Sequence, residues 1–142
     1  MAKKFLQTVD GQVFASPPIW MILFSDILVI PDALGQKVSF ETGEGPRLEA
    51  INDAAGMARL TPIDMKRLQP VLETIDRVKG GLPAETAFLG FCGAPWTVAS
   101  YMIAGRGTKD QEPARLFAYQ HPDLFQNLID RLVEASITYL VA

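Results

Sequence analysis

The run Ile22–Ile30, Ile-Leu-Phe-Ser-Asp-Ile-Leu-Val-Ile, is the most apolar stretch of the chain and carries one carboxylate, Asp26, near its middle. An ionised carboxylate among apolar neighbours costs several kcal/mol or more unless it is paired, hydrogen-bonded or protonated. Two readings of Asp26 stay open on spacing alone. It caps a helix or sits at an exposed strand end, or it is a functional group held in an apolar pocket. The run is too continuous for an alternating surface strand and too short for an independent amphipathic helix, which fits a parallel strand covered on both faces. Asp26 would then lie where that strand gives way to a loop.

Further along, Lys37–Glu41 alternates polar with apolar as a short half-exposed strand does, and Thr42–Pro46 is a turn cluster. Gly43 and Gly45 lack both the third glycine of a dinucleotide fingerprint and the Gly-Lys-Ser/Thr of a phosphate loop, so a plain turn is expected there. Residues 48–63 show no clear period. Leu68, Val71, Leu72, Ile75 and Val78 then fall on one helical face, predicting a helix from Gln69 to Lys79 with Pro70 in its first turn and Gly80-Gly81 as its stop. A second buried-looking run, Thr86–Gly93, follows that helix directly. Strand, helix, strand therefore recurs along the chain, and an α/β fold is expected. Gly90 and Gly93 are more glycine than a strand needs, which points to close approach of backbone or ligand.

The C-terminal third reads as helical. A helix from about Val98 ends at Gly105-Arg-Gly107, a short one covers Pro113–Tyr119, and a longer one starts at Pro122. Phe125, Leu128, Ile129, Leu132, Ser136 and Leu140 are expected to line one face of the last. Residues 1–16 read as a helical or extended lead-in, closed by Pro17-Pro18.

Composition narrows the function classes. The 142 residues are 49% hydrophobic and 20% charged, the profile of one globular domain spanning residues 1–142. A net charge of -3 argues against a sequence-independent nucleic-acid binder, whose phosphate contacts need a basic excess. Cys92 stands alone, no Cys/His cluster has zinc spacing, and no secretory or membrane-spanning segment is legible, so the cytoplasm is the expected location.

Four blocks together resemble the uroporphyrinogen decarboxylase family: Pro18–Met21, Phe24–Gly35, Gly43–Pro46, and Gly90–Thr97 with Tyr101, Met102 and Gly105 after it. They run in family order and cover most of the chain from Pro18 onward. The resemblance implies a (β/α)8 barrel with its site at the C-terminal ends of the strands, where such barrels place functional groups. It also implies a lyase without cofactor that removes the acetate carboxylates of uroporphyrinogen III to leave methyl groups and yield coproporphyrinogen III. A homodimer is the assembly it points to, with no nucleic-acid or membrane partner.

By that resemblance Asp26 is the catalytic and substrate-binding aspartate that accepts the pyrrole N–H groups, and Tyr101 is the tyrosine beside it and the substrate. An ionised carboxylate is acceptor-only and its two oxygens receive several converging donors. Without the family match, Tyr101 reads as an interfacial helix tyrosine. His121 reads as a helix cap, Cys92 as a buried small residue and Trp96 as packing at a strand end.

The chain departs from the family in two places. Between the positions of Met21 and Ile22 the family carries a long segment opening on an Arg-Gln-Ala-Gly-Arg-Tyr stretch, whose arginines bind substrate carboxylates, and here that segment is absent. Beyond the position of Ala142 the family supplies later barrel strands with a substrate-binding serine and histidine. A (β/α)8 barrel takes about 250 residues. The first βα units of a partial barrel, with strand edges unpaired and no turnover by this polypeptide alone, are therefore expected. Two alternatives remain: a non-catalytic fragment that binds a porphyrin or a full-length subunit, and a relative of the cobalamin-dependent methyltransferases. The latter share the barrel but use zinc, for which only His121 and Cys92 are at hand.

Overall fold

The computed structural model describes residues 20–41 and 45–142. The lead-in at residues 1–16, the break at Pro17-Pro18 and the turn tip at residues 42–44 lie outside the described residues. Among the described residues four strands and six helices follow one another: β1 (Trp20–Ile22), α1 (Val29–Ala33), β2 (Val38–Glu41), β3 (Gly45–Leu48), α2 (Ala54–Ala58), α3 (Met65–Lys79), β4 (Ala87–Leu89), α4 (Pro95–Ala104), α5 (Glu112–Gln120) and α6 (Pro122–Leu140). They fall into two compact units. One takes the described residues up to Ser25 with Gln69–Phe91, and the other Asp26–Leu68 with Cys92–Ala142.

In the first unit β1 and β4 pair in parallel, with Trp20 opposite Ala87, Met21 opposite Phe88 and Ile22 opposite Leu89. The Leu23 N–H extends the ladder to the Leu89 carbonyl at 3.0 Å, and the rings of Phe24 and Phe91 meet at 5.0 Å. This is the strand–helix–strand pairing the sequence predicts, but the strand is shorter than the apolar run. Trp20, Ile22 and Leu89 are exposed, so among the described residues the sheet is not covered on both faces. The helix of this unit ends at Lys79, where the Gly80 N–H reaches the Asp76 carbonyl and the Gly81 N–H that of Val78. It begins at Met65, four residues before the expected start. Asp64 explains the difference: its carboxylate accepts the Lys66 N–H at 3.1 Å and nucleates an extra turn. Pro70 consequently stands inside the helix, not in its first turn. There it denies the Lys66 carbonyl its helical donor, at an exposed position.

The second unit is mostly helical. Α6 lies against α1, α2, α4 and α5, and Ile30, Ile51, Leu68, Val98, Met102, Leu128 and Leu132 fill its core with almost no exposure. Burying one such side chain contributes about 1.5–3 kcal/mol relative to leaving it in water. Β2 and β3 form an antiparallel hairpin in which Val38 faces Leu48 and Ser39 faces Arg47. The core face of α6 is Leu128, Leu132, Ala135, Ser136 and Tyr139. Leu140, expected on that face, is 61% exposed, because the helix rotates Tyr139 inward in its place. Α2 was not legible in residues 48–63, yet it carries a cap: the Asp53 carboxylate accepts the Gly56 N–H at 2.8 Å.

Candidate functional site

Asp26 sits where the apolar run breaks. Its Oδ1 accepts the Leu28 N–H at 2.9 Å, its carbonyl accepts the Val29 N–H at 3.2 Å, and α1 starts at Val29. This is an Asx turn: the short carboxylate offers the backbone an alternative to the strand ladder, and the chain turns. The run Ile22–Ile30 is thus strand at one end and helix at the other, not one continuous strand. Asp26 itself is half-buried. It lines a cavity of about 240 Å³ with Leu28, Val29, Asp32, Val38 and Arg67. The Arg67 guanidinium bonds Asp32 at 2.8 Å. Among the described residues no second donor reaches the Asp26 carboxylate, which leaves acceptor capacity facing that space.

Gly93 packs the next segment of the unit against this turn. A β-carbon on Gly93 would stand 2.8 Å from both Ile27 Cβ and Val98 Cγ2, so only glycine permits that approach. Of the two glycines singled out in the sequence, Gly93 is the one in close contact. Gly90 has nothing within 4 Å.

Tyr101 lies in the last turn of α4, whose start is fixed by Pro95 at the first helical position. Its end is fixed by Gly105. This residue has φ +72°, returns its N–H to the Tyr101 carbonyl at 2.8 Å, and accepts the Leu48 N–H at 2.9 Å. The Gln36 side-chain amide adds a clamp, donating to the Glu49 carbonyl at 2.7 Å and the Met102 carbonyl at 3.2 Å. These bonds hold the end of α4 against the β2–β3 hairpin. Arg47 is thereby brought beside Tyr101 and the loop Arg106–Lys109, around a cavity of about 590 Å³. Asp26 and Tyr101 thus belong to one compact unit but line different cavities.

The other sequence candidates have plain positions. His121 stands at the start of α6, but its side chain makes no capping bond, and its ring instead packs on Phe117 at 5.3 Å. Cys92 is half-buried, with its thiol 3.5 Å from the Gly93 carbonyl. Trp96 is in the first turn of α4, not at a strand end, where its indole N–H donates to Gln111 Oε1 and its ring meets Phe125 edge-on at 5.7 Å. Among the described residues no three His, Cys, Asp or Glu side chains form a group able to hold a metal ion. No described helix is long and apolar enough to cross a membrane. Arg67, Arg47, Arg106 and Lys109 are the functional candidates that sequence reasoning passed over. Arg67 had no spacing to announce it, and the other three come from segments that only the fold joins.

The family profile of uroporphyrinogen decarboxylase (URO-D) matches residues 16–142. The chain belongs to the uroporphyrinogen decarboxylase family. Among its relatives in that family, the uroporphyrinogen decarboxylase of Sinorhizobium fredii is 60% identical over 122 residues, and that of Agrobacterium fabrum 58% identical over 122. Each match covers 85% of this chain and 35% of the relative, so the chain spans about a third of their length. An unbroken stretch of that share cannot omit either Asp26 or Tyr101. The Brucella ovis uroporphyrinogen decarboxylase is 40% identical over 188 residues, covering 99% of this chain and 55% of the relative. Since 142 residues cannot fill 188 aligned positions, at least 46 positions inside that match have no counterpart here. A gap of this kind is what the direct passage from Met21 to Ile22 leads one to expect. In fold, a methyltransferase from Methanosarcina mazei is similar at TM-score 0.62 and 22% identity, over 84% of this chain and 35% of that one.

Proposed function

We propose that this polypeptide represents the aspartate-bearing part of a uroporphyrinogen decarboxylase, organised as the first βα units of a (β/α)8 barrel. The observation that carries the reading is the 60% identity to a named uroporphyrinogen decarboxylase over a stretch that must include both Asp26 and Tyr101. In the reaction, a pyrrole ring of uroporphyrinogen III takes a proton on carbon. The bond between the acetate methylene and its carboxylate then breaks, the electron pair flows into the cationic ring, and carbon dioxide leaves. A second proton delivered to the methylene and loss of the first restore the pyrrole and leave a methyl group.

The ring is positively charged only after protonation. A fixed anion in a low-dielectric pocket therefore stabilises the intermediate more than the neutral ground state, which is the condition for catalysis. Asp26 is assigned that role, with its unfilled acceptor positions taking the pyrrole N–H groups. The Asx turn supports the assignment, because the bond from the Leu28 N–H holds one oxygen in place and leaves the other open. Tyr101 is assigned to orient a substrate carboxylate. A homodimer and a cytoplasmic setting belong to the same proposal, carried over from the family resemblance.

The cavity at Asp26, about 240 Å³, is smaller than the roughly 300–1,000 Å³ of ordinary small-molecule sites. Together with the missing internal positions, this favours binding without turnover by the polypeptide alone. The test is anaerobic: thermal melting with and without uroporphyrinogen III, then chromatography of the oxidised products. A raised midpoint with no loss of carboxylates is expected, since a ligand selective for the folded state must stabilise it. A folded protein whose midpoint does not move at saturating uroporphyrinogen III would overturn the binding reading.

A further inference from the structure

Gln36 is only 5% exposed, yet its polar atoms are matched on one side alone. Its amide nitrogen donates to the Glu49 carbonyl at 2.7 Å and the Met102 carbonyl at 3.2 Å, whereas its Oε1 is buried and meets no donor among the described residues. A buried acceptor without a donor costs stability, and an apolar side chain of the same shape carries no such cost. Nor does the Met102 carbonyl depend on the amide, because it already accepts the Ile51 N–H at 3.0 Å. What the amide does is join two stretches of the second unit that are far apart in sequence. On one side the Gln36 N–H bonds the Pro31 carbonyl at 3.0 Å, which ties it to α1, the helix that opens at the Asp26 turn. Ile30 and Pro31 are buried, so α1 is anchored in the core. On the other side Met102, fully buried, follows Tyr101 in α4.

We propose that Gln36 is a positioning residue that sets the spacing between Asp26 and Tyr101. This rests on the function proposed above, in which both side chains engage uroporphyrinogen III. They line different cavities, so one ligand meets both without rearrangement only where their separation is fixed beforehand. Packing at Gly93 relates the Asp26 turn to the start of α4, through Ile27 and Val98. The far end of α4, where Tyr101 lies, is related to α1 by the Gln36 amide. Two donors on one planar group, each on a different carbonyl, fix direction as well as distance. A site ordered in advance spends less of its binding energy on ordering when the ligand arrives. Methionine at position 36 would fill the same space without holding either carbonyl.

The test is a double-mutant cycle on the full 142-residue protein, with uroporphyrinogen III affinity measured by anaerobic equilibrium dialysis. Two variants break the clamp: Gln36→Met, of similar shape without donors, and Gln36→Asn, whose amide is one methylene too short. Amide spectra verify that each is folded. Each is expected to weaken affinity about tenfold, the scale of coupling within one bonded network. In a Tyr101→Phe background the same changes are expected to cost less than about twofold, because the tyrosine they position is already disabled. Asp53→Ala, which loosens α2 and leaves the clamp intact, should keep the affinity of the unaltered protein. Amide hydrogen exchange supplies a readout without ligand: the Ile51 and Gly105 amides, bonded to the Met102 and Tyr101 carbonyls, should exchange faster in Gln36→Met while the Leu28 amide does not. Faster exchange with unchanged affinity, or an affinity loss of the same size with and without Tyr101→Phe, overturns the positioning role and leaves the function reading standing. Unaltered protein that is folded and binds no uroporphyrinogen III refutes the function reading, and the assignment of Gln36 to that site falls with it.

Discussion

Gly105 is the residue on which the Tyr101 cleft depends, and Gly105→Ala makes the dependence measurable. Two costs add. At φ +72° an L-residue pays roughly 1–2 kcal/mol for the left-handed conformation. The new β-carbon would also stand 2.8 Å from the Leu48 carbonyl oxygen, a backbone atom with no side-chain freedom to retreat, and such overpacking costs typically about 1–3 kcal/mol. Gly45→Ala separates the two, because Gly45 has φ +78° with nothing within 4 Å and carries the first cost alone. In urea unfolding followed by far-ultraviolet circular dichroism, Gly105→Ala is expected to lose about 3 kcal/mol, a fall in midpoint of roughly 1–2 M for an m-value near 2 kcal/mol/M. Gly45→Ala is expected to lose less than half as much. Equal losses in the two variants, within about 0.5 kcal/mol, would refute the claim that the contact between Gly105 and Leu48 fixes the end of α4.

Gly93→Ala forces a methyl between Ile27 and Val98 and is expected to cost about 1–3 kcal/mol in the same urea assay, whereas Gly90→Ala is expected to change stability by less than about 1 kcal/mol. Asp53→Ala removes the cap of α2 and should cost about 1 kcal/mol, while Asp53→Asn, which retains the acceptor oxygen, should cost much less. The Arg67–Asp32 pair is half-exposed on both sides, so Arg67→Ala is expected to cost no more than about 1 kcal/mol, with the difference shrinking as salt is raised.

What the sequence made legible was punctuated by residues with one physical meaning. Pro122 opens α6, Gly80 follows α3, Gly105 ends α4, and the alternation from Lys37 marks β2, all within a residue or so of their observed places. The apolar run Ile22–Ile30 was misread because a continuous apolar stretch suits a buried strand and a buried helix equally. The side chain that divides it, Asp26, acts through a local bond to the Leu28 N–H that hydrophobic periodicity does not register. Α2, at five residues, is too short to show a period, although Asp53 carried its capping signal. The family and the candidacy of Asp26 and Tyr101 came from motif resemblance. The basic cleft did not, because Arg47 and Arg106–Lys109 lie far apart in the chain and meet through the bond from the Leu48 N–H to the Gly105 carbonyl.

The central claim, that this stretch carries the working aspartate of a uroporphyrinogen decarboxylase, is tested most directly by transplantation. The stretch matching the Sinorhizobium fredii relative replaces its counterpart in that enzyme, and decarboxylation of uroporphyrinogen III is followed anaerobically by chromatography of the oxidised products. The account predicts an active chimera that loses on the order of 100-fold or more in kcat/KM on Asp26→Asn, the scale of removing one preorganised electrostatic group. A folded chimera without activity, or one in which Asp26→Asn leaves kcat/KM unchanged, would contradict it.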